Sequence, residues 1–216
     1  MRIYYDCEFL ENGSTIDLIS IGIVTEIGHE YYAVNSDAPW NEIKANDWLV
    51  RNVVPSLPLT SRQSLDTYLA HPSNSYPKPL FDINLDLRDI RVKPHWVIAN
   101  EVREFILGVP DPELWAWYGA YDHVCLAQLF GRMIDLPKGV PMWTNDLKQE
   151  AMRLGDPQMP EQADGVHNAL ADARHNKVMG DFLADLARPR VRIENHEPGS
   201  PEGLAARQRF GLSEET

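Results

Sequence analysis

The sequence predicts an α/β fold, a mixed five-stranded sheet flanked by helices, and three observations predict it. Three strand-like stretches follow one another from the N-terminus, joined by tight polar turns, which makes an antiparallel meander. Two further strand-like stretches then alternate with helical ones, the pattern of βα units that add parallel strands. The 216 residues, 44% hydrophobic with six Trp and six Phe, suffice to bury one core of ordinary size.

The first strand reads Ile3-Tyr4-Tyr5-Asp6-Cys7-Glu8-Phe9. Strand side chains alternate faces, so Asp6 and Glu8 point one way while Tyr5, Cys7 and Phe9 point the other. Two neighbouring carboxylates repel each other and are costly to bury without a counter-charge, so something cationic belongs over that face. A polar turn, Glu11-Asn12-Gly13-Ser14, leads to a second, largely buried strand over Asp17–Val24. A hairpin connection, Glu26-Ile27-Gly28-His29-Glu30, leads to a third strand over Tyr31–Val34.

Trp40–Val54 has helical character, with Ile43, Trp48, Leu49 and Val53 as a buried stripe. Prolines interrupt residues 55–95 repeatedly, so this stretch reads as an irregular excursion with one short helix near Ser64–Ala70. A helix over Val97–Leu107 presents Val97, Val102, Phe105 and Ile106 and stops at Gly108. Glu113–Gly119 is an aromatic-rich strand followed by a helix over Tyr121–Gly131. Pro141–Asp146 leads as a short strand into a helix reaching Met152. After a Pro/Gly-rich loop, Asn168–Ala187 forms the last helix, with Ala169, Leu170, Ala173, Val178, Phe182, Leu183 and Leu186 on its apolar positions. Residues 1–187 thus form one domain, and 188–216 form a polar tail suited to a mobile extension or an arm across a partner.

Composition narrows the function classes. A net charge of −12 argues against non-specific duplex binding, which needs a basic surface. It leaves open an enzyme that grips a strand end through bound metal ions, because the ions supply the local positive charge. The longest apolar run, Leu18–Val24, is too short to span a bilayer, and the strand beginning at Ile3 leaves no room for a leader, so a cytoplasmic protein is expected. Cys7 and Cys125 form no zinc-like cluster and are expected to stay reduced, with Cys7 facing the interior.

Two more features can carry chemistry. Asp122 falls after a strand and at the start of a helix, in Tyr118-Gly119-Ala120-Tyr121-Asp122-His123. His167 and Asp172 open the last helix, in His167-Asn168-Ala169-Leu170-Ala171-Asp172. Taken singly, each reads better as a solvated or dipole-favoured polar residue on a helix. In a helix the five-residue step would set His167 and Asp172 roughly 140° apart, so they could flank one site without gripping a single ion together.

The ordered set Asp6-x-Glu8, Asp122, His167-x4-Asp172 resembles the DEDDh family of 3′→5′ exonucleases, over about residues 1–187. That resemblance implies a ribonuclease-H-like fold, three antiparallel strands followed by two parallel ones. Gly-Ala-Tyr-Asp-His around Asp122 is similar to the Asn-Ala-x-Phe-Asp-His of RNase T-like members, with Gly119 in place of Asn and Tyr121 in place of Phe. Within the family, Tyr-Asp-Cys-Glu-Phe, Leu18–Gly22, Glu30–Val34 and Leu114–His123 look most like the actinobacterial poly(A)-specific exoribonucleases of the RNase AS type.

The resemblance implies two Mg²⁺ or Mn²⁺ ions, held by Asp6, Glu8, Asp122 and Asp172, with His167 as general base. Asp6 would bridge both ions, Glu8 and Asp172 would hold the ion carrying the attacking water, and Asp122 would hold the other. It also implies single-stranded RNA 3′ ends as substrate, oligo(A) or poly(A) among them, AMP as product, and a homodimer. Phe9 is a candidate base-stacking residue, or else a core aromatic, and the backbone at Phe9 and Leu10 is expected to meet the terminal ribose. Trp115, Trp117 and Trp143 read as core, and His123 and His175 as solvated. Two other readings stay open: a DNA or oligonucleotide-trimming exonuclease of the same fold, and a non-catalytic module that binds RNA ends or nucleotides.

Overall fold

A computed structural model describes residues 1–72 and 82–188. Strands β1 (Arg2–Glu11), β2 (Ile16–Thr25) and β3 (Glu30–Asn35) form the expected antiparallel meander. Beyond it come β4 (Val92–Lys93), parallel to β3, then β5 (Glu113–Ala116), parallel to β1, and β6 (Asn145–Asp146), parallel to β5. The sheet order is β4-β3-β2-β1-β5-β6. It is a ribonuclease-H-like arrangement with six strands where the sequence predicts five. The extra strand is a two-residue edge piece at the end of the proline-rich stretch, too short to leave a periodicity.

The helices are α1 (Trp40–Ala45), α2 (Asp47–Asn52), α3 (Arg62–Leu69), α4 (His95–Leu107), α5 (Ala120–Gln128), α6 (Leu147–Arg153) and α7 (Ala169–Ala187). Among the described residues no helix is long and apolar enough to cross a membrane. The single helix expected over Trp40–Val54 is two. Asn46 takes an extended backbone, and its side chain accepts from the Leu49 N–H, so it ends one helix and caps the next. That break re-aims the stripe, leaving Leu49 and Val50 buried and Trp48 53% exposed.

Several other expectations give way. The strand after Glu113 stops at Ala116 because Tyr118 takes left-handed backbone, φ 54°, to turn into α5. Val178 and Trp143 are exposed, and Ile98 rather than Val97 lies buried on α4. His123 is half-buried and hydrogen-bonded to Thr144 Oγ1, not solvated. Of the polar tail predicted from residue 188, only Arg188 lies within the described residues.

Alternation along β1 sorts the layers. Ile3, Tyr5 and Cys7 join Ile98, Val102 and Ile106 of α4 and Cys125 and Leu126 of α5 on one face. On the other, Tyr4 packs with Leu147, Ala151, Met179 and Leu183, and Leu10 packs with Ile43, Leu49 and Val50. Asp6 and Glu8 sit on this second face, between its two apolar clusters.

Helix α7 crosses that face in close contact. A Cβ on Gly22, the partner of Asp6 across the β1–β2 ladder, would lie 2.3 Å from the carbonyl carbon of Ala169. At Gly180 a Cβ would meet the Tyr4 ring at 2.2 Å. Between them, Asn176 is buried and its Nδ2 donates to the Tyr5 carbonyl at 2.9 Å, tying α7 to the backbone just before Asp6. The contact at Gly22 is with backbone, which cannot rotate away, so Gly22→Ala must displace α7. The expected cost is about 3 kcal/mol, the upper end for overpacked cores, read as a lower urea midpoint. A wild-type midpoint would show that α7 shifts freely.

Candidate active site

The five residues singled out by motif converge on one cleft. Asp6, Glu8, Asp122, His167 and Asp172 line a cavity of about 240 Å³ together with Cys7, Phe9 and Trp48. Ligand atoms of Asp6, Glu8 and Asp172 lie within 4.8 Å of one another. Asp122, in the first turn of α5, lines the same cleft from the far side of β1. Its Oδ1 accepts from the Cys7 backbone N–H at 2.8 Å, between the two acidic residues. That N–H is open because β5 pairs with β1 only as far as Tyr4, leaving a crevice at the carboxyl ends of the two strands.

His167 does not open the helix. It lies in the turn before Asn168, the residue that caps α7 by accepting from the Ala171 N–H. Its φ is 65°, a left-handed conformation uncommon for any residue but glycine, so helical angular spacing to Asp172 does not apply. The turn points the ring into the cleft, where Trp48 meets it edge-on at 5.0 Å between centroids.

Electrostatically the cluster is crowded with negative charge. Burial, then the charges of Asp122, Glu8 and Asp172, push the Asp6 carboxyl well above its usual range. Burial together with Asp172 and Asp122 pushes Glu8 up to about 8. Burial takes Asp122 up to about 7 against the pull of the Cys7 N–H, and burial also raises Asp172. Among the described residues no Lys or Arg figures among the groups acting on these four carboxyls, and only at Asp172 do Gln162 and His167 pull against burial from outside the cluster. Four hard oxygen donors short of positive charge are a donor set for a divalent cation such as Mg²⁺ or Mn²⁺.

Other candidates divide. Phe9 lines the cleft while also packing against the α4–α5 core, and its ring stacks on Tyr121 at 6.1 Å. The Leu10 side chain is buried in the core beside α1 and α2, outside the cleft lining. Cys7 and Cys125 are free and buried, and burial pushes the Cys7 thiol well up, so it is a packing residue. Gly119, which departs from the motif, has no room for more: a Cβ there would sit 2.9 Å from the Ala116 Cβ.

Motif reading misses Trp48, Tyr121 as the partner of Phe9, and Gln162. Asn46-Asp47 before Trp48 is a helix-start signal that could have revealed the break and hence the exposed ring. Gln162, whose Nε2 donates to Asp172 Oδ1 at 2.6 Å, sits in an irregular loop and carries no local signal.

A ribonuclease-H-like sheet whose central strand carries two of four converging carboxylates has the architecture of a nuclease. A family model described as the 3′-5′ exoribonuclease Rv2179c-like domain matches residues 85–182. The chain is 40% identical over 175 residues to the 3′-5′ exoribonuclease Rv2179c of Mycobacterium tuberculosis (strain ATCC 25618 / H37Rv), covering 81% of this chain and 88% of that protein. The same figures describe its similarity to the 3′-5′ exoribonuclease MT2234.1 of M. tuberculosis (strain CDC 1551 / Oshkosh). This chain belongs to the Rv2179c-like 3′-5′ exoribonuclease family.

The raised carboxyls make stability depend on pH. Each binds its proton more tightly in the folded protein than in the unfolded chain, so the stabilisation is complete below the ordinary values of 3.8 and 4.5. It is lost as pH rises through the folded values, about 7 for Asp122 and about 8 for Glu8. The thermal midpoint of chelator-treated protein is therefore expected to fall between about pH 5 and pH 8, and Glu8→Gln to flatten that fall. A midpoint that rises over the same interval would contradict the charge balance described.

Proposed function

We propose that this protein is a metal-dependent 3′→5′ exoribonuclease of the DEDDh type, akin to the RNase AS enzymes. It takes nucleoside 5′-monophosphates from the 3′ end of single-stranded RNA, prefers adenylate ends and so releases AMP. The observation that carries the reading is the convergence of four carboxylates, crowded against one another, and a histidine on one cleft. The names of the relatives support the substrate and the polarity.

Asp6, Glu8 and Asp172 would hold one ion, and Asp6 with Asp122 the other. Asp6 suits the shared position because Asp122 is the foremost charge acting on it and Glu8 and Asp172 are close behind. When bound, such a pair supplies the positive charge that eases ionisation of water and offsets the charge building on the phosphate and leaving oxygen. His167, at the mouth beside Asp172, accepts the proton of the attacking water. Attack at phosphorus breaks the bond to the preceding O3′, which takes up a proton. The shortened strand keeps a 3′-hydroxyl and the freed nucleotide keeps the phosphate.

Phe9, backed by Tyr121, and Trp48 present aromatic rings around the cleft, and stacking on such rings selects bases free of a duplex. The acidic surface fits capture of strand ends better than tracking along a duplex. The protein works in the cytoplasm, as a homodimer that the family resemblance implies.

Digestion of matched A, U, C, G and DNA oligomers with Mg²⁺ or Mn²⁺ tests reaction, sugar and base together. The expected result is stepwise loss from the 3′ end, fastest for oligo(A), stopped by chelator. Asp6→Asn should lower kcat at least about a thousandfold, roughly 4 kcal/mol of transition-state stabilisation. His167→Ala should cost about a hundred- to ten-thousandfold. Oligoadenylate degradation that survives chelator or Asp6→Asn would remove the metal mechanism, and inactivity on every 3′ end with Mn²⁺ would favour a binding module.

A further inference from the structure

Gln162 lies in the loop between α6 and α7, half-buried at the edge of the cleft. Its Nε2 donates to Asp172 Oδ1 at 2.6 Å and to the Asp164 carbonyl at 3.1 Å. One amide nitrogen thus bridges a cleft carboxylate and the loop that leads to His167. We propose that Gln162 is a positioning residue for hydrolysis, setting the rotation of the Asp172 carboxylate and holding in place the loop that carries His167. The proposal rests on the metal-dependent reading above.

The geometry supports it in two ways. A carboxylate with one oxygen held at 2.6 Å cannot turn freely about its Cβ–Cγ bond, so the oxygen it offers to the Asp6–Glu8 group is defined. The same bond closes the segment 162–172, which contains His167, whose backbone sits at φ 65°. Left-handed backbone at a non-glycine residue costs about 1–2 kcal/mol and persists only where neighbouring contacts over-determine it. On one side of His167 that contact is the Asn168 cap on α7, on the other it is the Gln162 bridge, and the His167 backbone also bonds to the Asp172 carboxylate that Gln162 orients.

The residue type fits the task. Glutamate at 162 would set an acceptor against an acceptor. Lysine or arginine would place a fixed positive charge where the carboxylates need a cation that can take part in chemistry. A neutral amide donates to Asp172 and leaves the charge of the cluster intact.

The test compares wild type, Gln162→Met (same length, no donor) and Gln162→Ala in the full chain. Mn²⁺ binding is measured by calorimetry without RNA, kcat and KM with oligo(A), and thermal unfolding in chelator. Loss of an outer partner of a metal ligand is expected to weaken Mn²⁺ binding and lower kcat by about tenfold each. KM should stay within about twofold, and the metal-free thermal midpoint should fall by only about 2–4 °C, since the contact is one hydrogen-bonded bridge and fills no core. Variants that bind Mn²⁺ as tightly as wild type, or more tightly, with unchanged kcat would overturn the proposal alone. Wild-type protein that binds no Mn²⁺ would overturn the metal-dependent reading and this proposal with it.

Discussion

Everything at the cleft depends on how closely helix α7 lies against the sheet. Gly22 stands opposite Asp6 in the β1–β2 ladder, and its missing side chain lets the first turn of α7 rest on the strand backbone. Gly180 lets the same helix bed on Tyr4 about three turns further along, and Asn176 bonds to the Tyr5 carbonyl between them. With both ends and the middle held, Asp172 has one place to be, within 4.8 Å of Asp6 and Glu8. Side chains at those two glycines would hold the helix off the sheet and carry that carboxylate away from the strand.

Bringing carboxylates together so tightly works against stability. Glu8, 8% exposed and pushed up to about 8, marks a charge that the fold does not neutralise. The apolar clusters around Tyr4 and Leu10 hold the face together on either side of the gap, so the site is built into the core rather than laid over it. Asp122 is held differently, by a strand N–H that β5 leaves unpaired beyond Tyr4. The end of strand pairing and the beginning of the cleft are therefore the same structural event.

The cleft's surroundings come from elements with little regular pattern. Trp48 arrives through a helix break at Asn46, and His167 through a left-handed turn that ends an irregular loop. Such pieces can change without disturbing the sheet, whereas the strand and the glycine beneath α7 cannot. That division places the carboxylates on the rigid part of the fold and the aromatic ring and histidine on its adjustable rim.

Much of this was legible in the residues. The meander, the βα units and the last helix follow from periodicity and turn chemistry, which are local properties. Asp6 and Glu8 on one face follow from strand alternation, and the grouping of Asp122, His167 and Asp172 with them follows from motif order. What the chain order could not show depends on contacts between distant residues. The sixth strand exists only because Val92 and Lys93 find an edge beside β3. Gly22 looks like any glycine in a strand until Ala169 lies on it, and Gln162 looks like any loop residue until its amide meets Asp172. The sequence by itself determined which side chains would form the acidic pair and which way they face, because alternation is a property of a single strand. Only the tertiary structure decided how near the other carboxylates come and what holds them there, because that is set by the close approach of elements far apart in the chain.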